Sequence, residues 1–120
     1  MYWIGWLTAL AWAEEATEDS NVDSLRRRSE EIYIERCAIC HGEQGAGDGP
    51  TAMAMKPKPS DFTQPDYWAN RTDAYVIQLI KFGAPEVFMP SFPKIPDAQL
   101  DDLLSYLKDF QASPVLQAEE

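Results

Sequence analysis

Tyr33-Ile34-Glu35-Arg36-Cys37-Ala38-Ile39-Cys40-His41-Gly42 is the stretch on which the reading of this chain turns. Two cysteines three residues apart on a helical turn can present both sulfurs to one side, and the adjoining histidine can coordinate a metal held there. The spacing is the C-x-x-C-H pattern of covalent c-type haem attachment, in which the sulfurs form thioethers to the vinyl groups and the histidine binds iron. Three other readings compete. A structural zinc site takes four Cys or His ligands, and the whole chain offers Cys37, Cys40 and His41 only. A thioredoxin-like dithiol would follow a strand, yet apolar or small residues at Val22, Leu25, Ser29, Ile32 and Tyr33 form a helical stripe running directly into Cys37. A purely structural disulfide between the two cysteines is the third.

The motif sits in a chain of 120 residues with 20 Asp+Glu against 10 Lys+Arg, a formal net charge of -10, and 45% hydrophobic residues. Such a length suits one domain. An acidic chain without a dense Lys/Arg stripe has no surface to displace counterions from nucleic acid, so that class of partner is excluded. A domain this small buries only about 60 to 70% of its unfolded surface, and a cofactor would add to its core. Residues 1–13, MYWIGWLTALAWA, carry no charge and end in Ala11-Trp12-Ala13 ahead of Glu14-Glu15, the pattern of a cleaved secretory signal. The run is too short to span a bilayer, which takes about 20 apolar residues; an uncleaved anchor with its start further upstream is the alternative. Export would place the protein in the periplasm, with its cysteines in an oxidising compartment. The expected organisation is a signal at 1–13, an acidic flexible lead-in at 14–21, a domain at 22–113 and a C-terminal tail at 114–120.

Beyond the first helix, Gly42 to Pro65 holds four of the six glycines and four of the nine prolines, which predicts a long wrapping loop. Loops of that length are uncommon unless something functional organises them. Thr72 is the expected N-cap of a helix over Asp73 to Phe82, with Val76, Leu79 and Ile80 on one face and Gly83 at its stop. Pro85, Pro90, Pro93 and Pro96 forbid continuous helix, and Pro96 suits the first turn of the next one. That helix carries Leu100, Leu103, Leu104, Leu107 and Phe110 as its apolar stripe and ends near Ser113-Pro114. With no strand pattern and no internal repeat, the expected fold class is all-α.

If haem is bound, His41 is the only histidine and a second imidazole ligand is excluded by count. Methionine thioether is the usual alternative and raises the potential. Met53 and Met55 lie close after the histidine and suit loop or core filling. Met89, in Phe88-Met89-Pro90-Ser91-Phe92, is stiffened by proline and far enough along the chain to reach the opposite haem face. It is the favoured sixth ligand, a vacant or water-bound iron being the alternative. The glycines do not form a phosphate cradle, since no G-K-[ST] and no preceding strand accompany them.

From about Asp23 to Phe110 the chain resembles a bacterial monohaem class I cytochrome c. Tyr33 stands where that family has an aromatic packing at the crossing of its terminal helices; the family's glycine four residues earlier is Ser29 here, which implies a slightly wider crossing. Cys40-His41-Gly42 with Gly45, Gly47 and Asp48-Gly49-Pro50 is similar to the haem-wrapping loop, in which the resemblance assigns the Pro50 carbonyl to the histidine N–H. Pro57, Pro59, Asp61 and Phe62 resemble the Pro-x-Pro-x-Asp-Phe segment of many members, and Leu103, Tyr106 and Leu107 match the C-terminal helix. The resemblance implies a cytochrome c fold of three main helices, short ones and long loops around one haem c. It also strengthens Met89 as axial ligand.

An iron with both axial positions filled suits one-electron transfer and has no site for substrate, so the expectation is an electron carrier and not an enzyme. It would be free or a subunit of a larger respiratory or dehydrogenase complex, with a redox protein as donor and acceptor and no membrane span in the mature chain. A haem-based gas sensor or small haem enzyme with a labile sixth position is the alternative. Lys56, Lys58, Lys81 and Lys94 are expected to form a locally basic docking rim, unless they are ordinary solubilising lysines. Arg71 and Trp68 are candidates for the haem propionates, with surface and core roles as their alternatives.

Overall fold

The computed structural model describes residues 20–112; the segments read as signal, most of the acidic lead-in, and the Ser113-Pro114 stop with its tail lie outside them. Helix α1 is already formed at residue 20, ahead of its expected start, and runs through residue 32. A π-helical turn, Tyr33–Cys37, carries it into α2, Ala38–His41. Then come α3, Pro65–Ala69, α4, Asp73–Phe82, and α5, Asp97–Lys108, with 3-10 turns at Ala52–Ala54, Pro85–Val87 and Asp109–Ala112. No strand occurs among the described residues beyond one isolated antiparallel bridge between Ala84 and Met89. The fold is all-α, a small helical frame around long loops.

The frame is closed by the leucine stripe of α5. Leu100 and Leu103 are 1% exposed, and Leu104 and Leu107 join them in one core with Ile32, Tyr33, Phe62, Val76 and Ile80. Each such side chain contributes about 1.5 to 3 kcal/mol on burial. Where α1 meets α5, Tyr33 is fully buried, its ring centroid 5.0 Å from Phe110 and 5.6 Å from Tyr106. Ser29, in place of glycine, is also fully buried. Its hydroxyl donates to Asp102 Oδ1 at 2.6 Å and accepts from Gln99 Nε2 at 2.7 Å, while the same amide donates to the Leu25 carbonyl at 2.9 Å. A buried hydroxyl satisfied in this way escapes the desolvation penalty of a lone one and ties the two helices together. Arg26 adds an exposed ion pair to Asp109 and stacks over Tyr106. Val22 departs from the expected stripe and is 61% exposed. The hydrogen bonds and ion pair from α5 and its 3-10 extension meet α1 at Leu25, Arg26 and Ser29, so Val22 projects past the crossing.

Helix α4 has the expected bounds. The Thr72 hydroxyl accepts the Tyr75 N–H at 3.1 Å, and Gly83 ends the helix at φ 74°. A Cβ on Gly83 would lie 2.8 Å from the Met89 carbonyl, so the glycine also lets the Met89 segment approach. Pro96, expected in the first turn of α5, instead precedes it as N-cap, because its ψ of 152° is extended. Helix α3, which the sequence did not announce, begins at the last residue of the stretch read as loop: Pro65 starts it at N1, where proline's missing N–H costs nothing. No helix among the described residues is long and apolar enough to cross a membrane.

Replacing Ser29 by Ala strands Asp102 Oδ1 and removes one bond to Gln99. Guanidinium unfolding should show a loss of about 1 to 3 kcal/mol, whereas Val22→Ser should stay within about 0.5 kcal/mol of wild type.

Candidate functional site

The π-helical turn decides how the motif is presented. The Ala38 N–H bonds to the Tyr33 carbonyl, five residues back, and Cys37 enters α2 with a widened φ of -114°. Such wide turns recur at functional sites because they re-aim side chains without ending the helix. Gly42 closes α2 at φ 87°, its N–H on the Ala38 carbonyl at 2.8 Å, and its own carbonyl accepts the Tyr33 hydroxyl. Cys37, Cys40 and His41 are all half-buried and line one cleft. Burial and the neighbouring Cys40 push the Cys37 thiol up to about 11, against a smaller opposing effect of Arg36. Burial lowers the His41 imidazole below its ordinary value, which favours the neutral form able to bind a metal.

His41 Nδ1 lies 3.1 Å from the Ser60 carbonyl. A carbonyl can only accept, so Nδ1 carries the proton and Nε2 keeps the free lone pair. This corrects the assignment of Pro50 as the partner. The amides of Gly47, Gly49 and Thr51 bond to the His41, Cys40 and Ile39 carbonyls at 2.7, 3.1 and 3.1 Å, capping the end of α2. The Gly49-Pro50 segment is thereby held across that helix end with Pro50 exposed, and the chain comes back to His41 ten residues later. There the Phe62 ring stacks on the imidazole, centroids 4.5 Å apart and 18° from parallel. Gly47 makes room: at φ 75°, a Cβ on it would lie 2.6 Å from the Pro59 carbonyl.

The other wall brings in Met89, together with Leu79, Ala84, Val87, Phe88 and Phe92. Met89 is held by reciprocal backbone bonds with Ala84 at 3.0 and 3.1 Å, and Phe88 before it takes the left-handed conformation at φ 65°. Met55 also lines the cleft. Met53 does not, and at 89% exposure it fills no core either. It sits on the outer side of the Ala52–Ala54 turn, whose one buried residue is Ala52.

Three cations, Arg36, Lys58 and Arg71, line the cleft against one acid, Glu86. Lys94 and Arg28 line an adjoining cleft that shares Arg36 and Phe92. Lys81, expected on the docking rim, is instead paired with Asp97 at 3.0 Å. Arg71 stacks on Tyr67 with its guanidinium 4.1 Å from the ring centre. Trp68 is absent from the lining and packs against the core, its indole N–H donating to the Phe62 carbonyl at 2.9 Å. Arg36, Ser60, Tyr67 and Tyr75 belong to the site although the sequence reading did not single them out. The cleft volume, ≈ 410 Å³, falls in the range of cofactor sites. Paired thiols, a neutral imidazole with one committed nitrogen, a thioether and apolar walls are a donor set that fits haem. Among the described residues no group of three His, Cys, Asp or Glu could hold a bare metal ion.

Residues 27–111 match the Cytochrome c family model. Among solved structures, one chain of a reducing HAO-like protein complex from Kuenenia stuttgartiensis is 30% identical with a TM-score of 0.56, covering 68% of this chain and 40% of that one. The present chain therefore spans less than half of that relative's length. The c-type cytochrome KustC0563 is 23% identical with a TM-score of 0.57, covering 69% of this chain and 96% of that one. Among curated proteins nothing matches.

Gly47→Ala should lower the stability of the holoprotein by at least about 1 kcal/mol in thermal or guanidinium unfolding, from the left-handed φ and the Pro59 clash together.

Proposed function

The chain belongs to the cytochrome c family, and we propose that it is a haem electron carrier, exported to the periplasm, whose iron would be held by His41 and Met89. The observation that carries this reading is the convergence of Cys37, Cys40, His41 and Met89 on one apolar cleft. Cys37 and Cys40 would hold the haem as thioethers. When bound, haem supplies a one-electron ferric/ferrous couple. His41 would hold the iron through Nε2, its ring oriented by Ser60. The Ala84–Met89 bridge keeps the thioether-bearing segment in place. Leu79, Val87 and Phe92 line the cleft and would shield a bound haem from water, and a dry site held by the Met89 thioether would favour the ferrous state. No general acid–base pair is required, and substrate turnover belongs to partner proteins. The uncharged 1–13 segment supports export. Likeness to a chain of a multi-subunit redox complex supports a permanently docked subunit as readily as a diffusing carrier.

Lys58 beside the cleft and Lys94 in the adjoining one have no ion-pair partner among the described residues, which supports a basic docking edge on an acidic protein.

The ferric protein, expressed with haem-attachment machinery, should show covalent c-type haem and the weak near-infrared methionine-to-iron band. Met89→Ala should abolish the band, whereas Met53→Leu and Met55→Leu should keep it; haem without the band, with prompt carbon monoxide binding to the ferrous form, would favour a gas sensor or small haem enzyme. Neutralising Lys58 and Lys94 together should slow oxidation by anionic ferricyanide at low salt, and the difference should vanish at high salt.

A further inference from the structure

Two residues beyond the carbonyl that orients His41, the backbone of Phe62 is gripped from both sides. Its N–H donates to the Gly45 carbonyl at 2.7 Å, and its carbonyl accepts the Trp68 indole N–H at 2.9 Å. Between these points the Asp61 carboxylate folds the chain locally by accepting the Thr63 amide at 2.9 Å and the Thr63 hydroxyl. Ser60 to Phe62 thus forms a short strap beneath the imidazole, one residue supplying a carbonyl to Nδ1 and another a stacked ring.

We propose that Trp68 is a positioning residue for His41: by holding the Phe62 carbonyl it keeps the Ser60 carbonyl on Nδ1 and so sets the electron density that His41 offers to iron. The assignment rests on the haem reading above. Trp68 is well placed for the task. It stands on α3, only six residues from Phe62, and its ring is wedged at 4.9 Å from Tyr67 and 5.7 Å from Phe62. A part-buried indole N–H that lost its acceptor would be left with an uncompensated desolvation penalty, so the bond is persistent. The tolerance at the other end is small. The Nδ1 to Ser60 distance of 3.1 Å sits near the long end for such a bond, and a slip of about 0.5 Å takes it beyond useful range.

The electronic consequence has a definite sign. Donation from Nδ1–H to a carbonyl makes the imidazole a stronger donor at Nε2, which favours ferric iron. Loosening the strap weakens that donation and moves the balance toward ferrous. A tryptophan that merely fills the core would do neither, because Phe can retain most of its ring packing.

The test uses the holoprotein with covalent haem and the Trp68→Phe substitution. At fixed ambient potential the ferrous/ferric ratio should rise at least about threefold, equivalent to about 28 mV at 59 mV per decade. The His41 Nδ1 proton, followed by NMR, should exchange with solvent at least about tenfold faster, while the methionine-to-iron band persists. A folded variant with unchanged ratio and unchanged exchange overturns the assignment while leaving the haem reading intact; failure of haem to attach to wild type overturns both. If Trp68→Phe does not fold, the wild-type holoprotein decides. Comparable protection of the Trp68 indole proton and the His41 Nδ1 proton supports the coupling, and an indole proton that exchanges freely beside a protected Nδ1 proton overturns it.

Discussion

Tyr33 joins the frame of this protein to its chemistry. Its ring fills the crossing of α1 with the end of α5, its hydroxyl holds the Gly42 carbonyl, and its own carbonyl accepts the amide that makes the helix locally five-periodic. A single side chain thus ties helix packing to the exit direction of the loop and to the aim of Cys37. Burial raises its hydroxyl pKa well above the ordinary phenol value, so it remains a donor across the physiological range. Close by, Ser29 links Gln99 to Asp102 inside the crossing, accepting from the one and donating to the other.

On the histidine side, backbone carries most of the precision. Loop amides cap α2, a backbone carbonyl orients His41, and that carbonyl's segment is itself held through backbone atoms of Phe62. Backbone acceptors are well suited to this role because they cannot titrate, whereas a carboxylate on Nδ1 would change the charge of the site with pH. The thioether side is built differently, from a bridge of two residues and a left-handed Phe88.

Much of this was legible in the sequence, and the parts that were not share a cause. Helix α4 is punctuated by residues whose side chains do the capping, Thr72 and Gly83, so its bounds can be read directly. The α5 stripe is long enough for its period to be unmistakable. The site motif named its own thiols and imidazole, and Met89 stood out among the methionines by its proline-stiffened place between two helices and by the family resemblance; it lines the same cleft. Ser60 stayed hidden because the functional atom is a main-chain oxygen, for which any residue type would serve. Pro50 looked right because its neighbours match a loop pattern, yet pattern does not say which carbonyl in a loop faces inward. The π turn leaves no trace in an i, i+3, i+4 stripe. Helix α3 is five residues in a proline-rich stretch, where a proline reads as a breaker although Pro65 is a starter. Val22 belongs to the periodic pattern but outruns its partner helix.

The sequence separations of these contacts carry a consequence for the order of assembly. The hydrogen bonds joining α1 to α5 and its extension connect residues 70 to 83 apart, whereas His41 meets Ser60 across 19. Closing a loop of some 70 residues costs about 4 kcal/mol of chain entropy, and for α1 and α5 that cost falls due before any of their contacts exist. The loop around His41 can condense locally at a smaller entropic cost. A bulky apolar group tethered at residues 37 to 41 would then act as a template, letting α4, the Met89 segment and finally α5 collapse onto a surface already attached to the chain. In such a scheme the terminal helices are the last to close and the first to part.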